Sequence, residues 1–305
     1  MGGKTAASVR VNENKVWIVL AKEEIVSGRV AVVDIQVKSG ETIHLTPIFD
    51  AHLDDSLCDF GALKNMVAER ESLSHHYAIF GGDTFNLVVP PDLRRYRPSG
   101  QPAGIVGRDD WLNATIDYVG NRIESLNVKP ILFIPGNHED EFEKRYGLDV
   151  TSILANRFHC ARGGYSGILD IRLHLRQRVW TTFRIVYHHG AWGGKYSKGY
   201  LGAHTFFSQI DGWHVALFGH NHASRVDPEI RKKVEGNELI EYPVHIVNCG
   251  SWVQSYSDDP KQTHYAERKG YIPQPRTCPL IKVQPVEHHI TNRKNKLKVH
   301  YTVSV

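Results

Sequence analysis

Apolar and polar positions along the chain switch between two periods. "ETIHLTPIFDAH" (41–52) gathers β-branched and apolar residues as a strand does. "LCDFGALKNMVAERESL" (57–73) then places Leu57, Phe60, Leu63 and Val67 at helical spacing. "HYAIFGGD" (76–83) predicts a second strand and "DDWLNATIDYVGNRIESL" (109–126) a helix capped by Asp109 or Asp110. Pro130 to Pro135 reads as a third strand and "LDVTSILANRF" (148–158) as a helix. "GILDIRLHLRQRVWTTFRIVYHHG" (167–190) alternates like two antiparallel strands. "GYLGAHTFFSQI" (199–210) predicts a helix, while "GWHVALFGH" (212–220) and "YPVHIVNCGSW" (242–252) predict strands. The tail from Ile281 reads as further strands around a basic turn, "NRKNK". Strands that first alternate with helices and then pair as hairpins indicate an α/β fold with mixed sheets. Between Val88 and Gly104, "VVPPDLRRYRPSGQPAG" is long for a connection in a compact domain, which predicts a lid or a partner-binding insertion.

Composition changes this picture little. The 305 residues are 41% hydrophobic and 23% charged, enough for one large domain or two small ones. No run approaches the ~18 apolar residues that span a bilayer, so no membrane partner is expected. "VWIVLA" at 16–21 is too short for a signal sequence, and Ala6 stands where a myristoylation signal wants Ser or Thr. Cys58, Cys160, Cys249 and Cys278 are far apart, which predicts reduced thiols and a cytoplasmic protein rather than a disulfide framework or a zinc ribbon. A net charge of +4 leans weakly toward an anionic partner. The 18 histidines matter more, because imidazole is the commonest metal ligand.

Their positions carry chemistry. Five apolar runs each end in metal-competent residues: "FDAH", "GGD", "GNHE", "YHHG" and "FGHNH". In an extended chain residues two apart point the same way, so Asp50 with His52, and His220 with His222, can grip one ion together. Any one of these endings has a dull reading as a turn or a solvated pair; five in order along one chain do not. Two divalent cations ~3.5–4 Å apart clamp a phosphate and lower the pKa of a water toward ~7. One carboxylate must bridge them, and Asp83, with Gly81 and Gly82 expected to clear space in front of it, is suited to that. Carboxylate, amide and imidazole donors without thiolate suit manganese first, with iron, zinc or nickel as rivals. A histidine beside the metals can protonate the leaving oxygen.

The ordered series from Asp50 to His222 resembles the calcineurin-like metallophosphoesterase superfamily, whose motifs read Asp-x-His, Gly-Asp, Gly-Asn-His-Asp/Glu, His and Gly-His-x-His. The resemblance implies two mixed β-sheets packed as a sandwich flanked by helices. It implies one such domain over residues 1–305, with an insertion at 86–108 and a C-terminal β extension from about residue 253. Carried over by motif, Asp50, His52 and His222 hold the first ion, Asp83 bridges, and Asn137, His189 and His220 hold the second. His138 contacts substrate and protonates the leaving group, while Glu139 and Asp140 support or cap. Within "YHHG" His188 rivals His189, since neighbours on a strand face opposite sides. "YGLDVTSILANRF", "HHGAWGG" and "YAERKGYIP" resemble, more loosely, a less-characterised phage and bacterial branch.

Departures from the family pattern bear on substrate. "DAHLDD" adds Asp54 and Asp55, one of which either supports the metals from behind or, the favoured reading, caps the following helix. Protein Ser/Thr phosphatases carry Gly-Asp-x-Val-Asp-Arg-Gly; "GDTFNLV" lacks that Asp and that Arg, with Asn86 where the acid orienting the catalytic histidine is expected. A dianionic monoester profits from a bidentate guanidinium, so its loss favours a phosphodiester: nucleic acid, a cyclic nucleotide or a nucleotide-linked molecule. Arg94, Arg95, Tyr96 and Arg97 suit phosphate contact and base stacking, and also suit a plain surface loop. Lys195 and Lys198 have the same two readings. Tyr265, Glu267 and Tyr271 either close over substrate or pack. The alternatives are a phosphomonoesterase and an inactive scaffold of the same fold. Oligomeric state has no signal in the sequence.

Overall fold

A computed structural model describes residues 7–12, 15–20, 30–38, 40–88, 100–176, 179–193, 197–256, 265–268, 270, 272–290 and 294–305. Three strands come first: β1 (Ala7–Asn12), β2 (Lys15–Leu20) and β3 (Val30–Gln36). Alternation follows through β4 (Ile43–Ile48), α1 (Phe60–Glu69), β5 (His76–Phe80), α2 (Trp111–Glu124), β6 (Lys129–Phe133), α3 (Asn137–Tyr146) and α4 (Val150–Arg157). Next are β7 (Ala161–Arg162), the hairpin β8 (Ser166–Arg176) and β9 (Val179–His188), α5 (Tyr200–Phe207) and β10 (Val215–Phe218). Two long hairpins close the chain, β11 (Ser224–Glu235) with β12 (Glu238–Cys249) and β13 (Leu280–Ile290) with β14 (Lys294–Ser304). Between them stands α6 (Tyr265–Arg268).

The strands form two mixed sheets. One runs β14-β13-β4-β5-β6-β7 and the other β11-β12-β10-β9-β8-β3-β1-β2. Alternation along each strand decides what faces what. On β5, Tyr77 and Ile79 join a core shared with Val33 and Ile35 of β3, Ile171 of β8, Ile185 of β9 and Leu217 of β10. The intervening Ala78 and Phe80 face the other way, into a second core with Leu63 and Val67 of α1, Val119 and Ile123 of α2, and Leu154 of α4. Val186 of β9 and Ala216 and Phe218 of β10 turn outward onto Ala203 and Phe207 of α5. The result is an α/β sandwich of two mixed sheets with helices on both outer faces. Because β4, β5 and β6 are parallel and covered on both sides, they are buried on both faces, apolar over Tyr77–Phe80 and Pro130–Phe133 and broken in β4 only by the buried His44 and Thr46. Their shared polarity brings the residues that follow β4, β5 and β6 to one end of the sheet.

Two local expectations change. Asp110 stands at the N-cap of α2 with its carboxylate on Arg108 (2.7 Å), not on the helix backbone. Asp54 and Asp55 do not cap α1; Asp59 does, accepting from Ala62 N–H at 3.0 Å. Arg94, Arg95, Tyr96, Arg97, Lys195 and Tyr271 lie outside the described residues, as does the Tyr265 side chain. Among the described residues no helix is long and apolar enough to cross a membrane.

Candidate metal centre

Asp50 and His52 follow β4, Asp83 follows β5, Asn137 and His138 open α3 after β6, His189 follows β9, and His220 and His222 follow β10. The local geometry is not the extended one expected. Asp50 (φ 47°), His52 (43°), Asp83 (47°), His220 (71°) and His222 (57°) all adopt left-handed backbone conformations, each costing roughly 1–2 kcal/mol for a residue with a side chain. Tight turns, not strand ends, aim these side chains. The turns are tied to one another: Asp50 N–H donates to Gly82 O (3.1 Å), His52 N–H to Asp83 O (2.9 Å) and Ser251 Oγ–H to Asp50 O (2.8 Å).

Glycines make room for this crossing. A Cβ on Gly82 (φ 89°) would stand 2.6 Å from both Gly136 N and His189 Nδ1. One on Gly136 would lie 2.1 Å from Asp83 Oδ1, and one on Gly219 2.5 Å from Asp50 Oδ2. Gly82 and Gly136 thus leave room beside Asp83, while a Cβ on Gly81 would meet the Phe49 ring instead.

The side chains converge in three groups whose donor atoms lie within 4.8 Å of one another: Asp50, His52 and His222; His52, Asp83 and His138; and Asp83, His189 and His220. Asn137 joins the last, its Oδ1 2.7 Å from His220 Nδ1 and 3.2 Å from His189 Nε2. His189 Nε2 is 3.3 Å from Asp83 Oδ2 and 3.8 Å from Asp50 Oδ1. His222 Nε2 is 4.0 Å from Asp50 Oδ1, and His52 Nε2 is 3.9 Å from Asp83 Oδ2. All eight predicted site residues thus meet. His188, the rival, does not: its ring stacks toward Trp192 (4.6 Å between centroids) and Phe206 (4.8 Å), and its Nδ1 accepts from Gly190 N–H.

These residues fit a divalent cation. Donor atoms bonded at ~2.1 Å to one ion sit about 3.0 Å apart at a right angle and about 4.2 Å apart across it, which brackets most of the distances above. Asp50 Oδ1 is wholly buried with no hydrogen-bond partner, a costly state unless a cation faces it. His189 Nδ1–H donates to Gly81 O (3.0 Å), leaving the Nε2 lone pair aimed at carboxylate and amide oxygens. Lone pairs facing lone pairs need positive charge between them. The titration directions agree. Burial alone would lower His189, but Asp83 pushes it up to about 10. Burial drives Asp50 well above the usual carboxylate range, and burial drives His52 well below the imidazole range.

His138 lies at the edge of this cluster, its ring edge-on to His52 with centroids 4.8 Å apart. Its backbone N–H donates to Asp83 Oδ1 (2.9 Å), and its Nδ1–H donates to the carbonyl of Asn86 (2.5 Å). No acid contacts Nδ1; a peptide oxygen takes that place. Glu139 is buried at 3% exposure and accepts three backbone N–H groups: Gly136 (2.8 Å) and Asp83 (3.0 Å) at Oε2, Phe85 (2.8 Å) at Oε1. It is a brace between two site loops, a role that "GNHE" suggested only in outline. Asp140 pairs on the surface with Lys144. Asn248, which opens the "NCGSW" strand end expected near the metals, donates through Nδ2 to Asn221 Oδ1 (2.7 Å), inside the His220–His222 turn. Its only signal is a polar residue closing an apolar strand.

Known proteins resemble the chain at two levels. No curated protein matches it by sequence. Among solved structures, Vps29 of Chaetomium thermophilum is similar at 11% identity and a TM-score of 0.33, over 86% of this chain and 96% of that one. Residues 48–224, which hold every residue of the cluster, match the calcineurin-like phosphoesterase family. With its five motif ends, three from one sheet and two from the other, gathered in one cluster and that match covering more than half its length, the chain belongs to the calcineurin-like phosphoesterases, hydrolases of phosphoesters.

Proposed function

We propose that the protein is a dinuclear metal-dependent phosphodiesterase. The observation that carries this reading is the buried Asp50 Oδ1, without a hydrogen-bond partner among the described residues, amid imidazole, amide and carboxylate donors from five separate segments. Asp50, His52 and His222 would hold one cation and Asn137, His189 and His220 the other. Asp83 belongs to two of the three groups and would contact both. Two divalent cations there would polarise a phosphoryl oxygen and supply a water nucleophile at neutral pH, and manganese suits hard oxygens mixed with imidazole. His138, with Nδ1–H engaged by Asn86 O, presents Nε2 to the leaving oxygen and gives it a proton.

The diester preference rests on position 87. Where protein phosphatases carry arginine, this chain has Leu87, 8% exposed and packed among apolar side chains, so no guanidinium reaches a phosphate from there. Nucleic acid, a cyclic nucleotide or a nucleotide-linked molecule fits that reading. Four free cysteines are compatible with a reducing compartment such as cytoplasm. The test compares bis(p-nitrophenyl) phosphate with p-nitrophenyl phosphate under added Mn²⁺, together with bound-metal analysis. Diester turnover is expected, abolished by chelator and restored by metal. In His138→Ala kcat on a diester with a poor leaving group, such as one releasing phenol, should fall roughly 10²–10⁴-fold with bound metal retained. Turnover of the monoester alone would make the protein a phosphomonoesterase, and none with any metal would make it a scaffold.

A further inference from the structure

The carbonyl that receives His138 Nδ1–H is itself gripped from behind. Asn86 N–H donates to Asp54 Oδ1 at 2.5 Å and Leu87 N–H donates to Asp54 Oδ2 at 3.0 Å. The Asn86 side chain donates through Nδ2 to Asp55 Oδ2 at 3.0 Å. Asp54 is 7% exposed, so this bidentate grip operates out of water, where charge-assisted hydrogen bonds are strong and directional. The backbone it holds is not relaxed: Leu87 sits at φ 46°, a left-handed conformation that a leucine adopts only when its surroundings impose it.

We infer that Asp54 is the positioning residue of His138, acting through the peptide backbone of Asn86. An acid touching the imidazole directly could hold it with one contact. Here the carboxylate stands one peptide further back, sets the direction of the Asn86 carbonyl, and so fixes the His138 tautomer with Nδ1 protonated and Nε2 facing the cluster. Both carboxylate oxygens are engaged by the 86–87 backbone, so Asp54 has work to do at this turn that no cap of α1 would require. Asparagine at 54 would offer one oxygen and one NH₂. One of the two backbone donors would then face a donor, and the carbonyl would swing off Nδ1. The inference rests on the reading of His138 as the proton donor. Asp54 should therefore matter in proportion to how much a leaving group needs a proton.

The full-length protein loaded with Mn²⁺ is tested on two aryl phosphodiesters, one releasing p-nitrophenol, a good leaving group, and one releasing phenol, a poor one. Asp54→Asn is expected to lose on the order of 10–100-fold in kcat on the phenol ester and under about 3-fold on the nitrophenol ester, the trend general-acid loss produces. His138→Ala should show the same trend, and adding Asp54→Asn to it should cost nothing more, since the two act as a unit. Bound manganese should be unchanged, and in protein loaded with diamagnetic Zn²⁺ instead the ¹⁵N signals of the His138 imidazole should shift in Asp54→Asn. Asp54→Ser, which keeps one acceptor, should fall between. Equal losses on both esters, losses additive with His138→Ala, released manganese, or a chain that folds with neither substitution would each overturn the inference. A wild type inactive on every ester would sink the functional reading instead. The imidazole spectrum then still decides: a tautomer unchanged in Asp54→Asn refutes the placement, and a changed one upholds it.

Discussion

Gly82 shows how much of this site is set by single positions. It carries φ 89°, and a methyl group there would press into the Gly136 amide and the His189 ring at once. Neither neighbour can yield without moving a donor of the cluster. Gly82→Ala is expected to destabilise the protein by about 2–4 kcal/mol, strain and overpacking together, and to lower bound metal. Denaturant unfolding and metal analysis on the same preparation check both halves; full metal occupancy in a stable variant would contradict the crossing described. The glycine was legible in "GGD" as space before a carboxylate. Its second contact, His189, lies more than 100 positions away and was not.

At the scale of elements, α3 is the instructive case. It was not read as a helix, because its ten residues are mostly charged and only Glu139 and Phe142 are buried. Its ends nevertheless carry helix signals: Glu139 and Asp140 in the first turn, Lys144 and Arg145 in the last, and Gly147 at φ 70° to end it. Hydrophobic period fails for a helix that serves to present its N-terminus rather than to bury a face. Glu139 joins that N-terminus to the loop after β5. Glu139→Gln keeps one oxygen for Gly136 and Asp83 N–H but turns an NH₂ toward Phe85 N–H, leaving a buried donor unmet. A loss of about 1–3 kcal/mol in denaturant unfolding is expected, and an unchanged midpoint would refute the brace.

The whole molecule should lose stability on mild acidification, for reasons distant from the site. Burial lowers His214 to about 4, and burial lowers His76 to about 4, from an ordinary value of 6.5. Between pH 6.5 and 4 the unfolded chain holds protons on these rings and the folded chain does not. Stability therefore rises with pH across that window and falls as pH drops through it, levelling below 4. Through these two rings, melting temperature should decline from pH 6.5 downward. His214→Phe keeps the stacking on Phe183 (5.0 Å between centroids) without a titrating ring, and should show a shallower decline. An identical slope in wild type and variant would remove His214 from the account.

Local period named most strands from residue 41 onward, though not β7 or β11, local chemistry marked the five metal-competent strand ends, and the family motif supplied the eight residues that meet, Asp50, His52, Asp83, Asn137, His138, His189, His220 and His222. Such properties are carried by single residues and their near neighbours, and need no knowledge of the far chain. Three matters were decided only by packing: that five of the seven donors sit on left-handed turns, that His189 rather than His188 faces the cluster, and that Asp54 grips Asn86 instead of capping α1. Each depends on which segments the two sheets bring side by side. Contact between residues far apart in sequence is a property of the layered core, written in no short stretch of the chain.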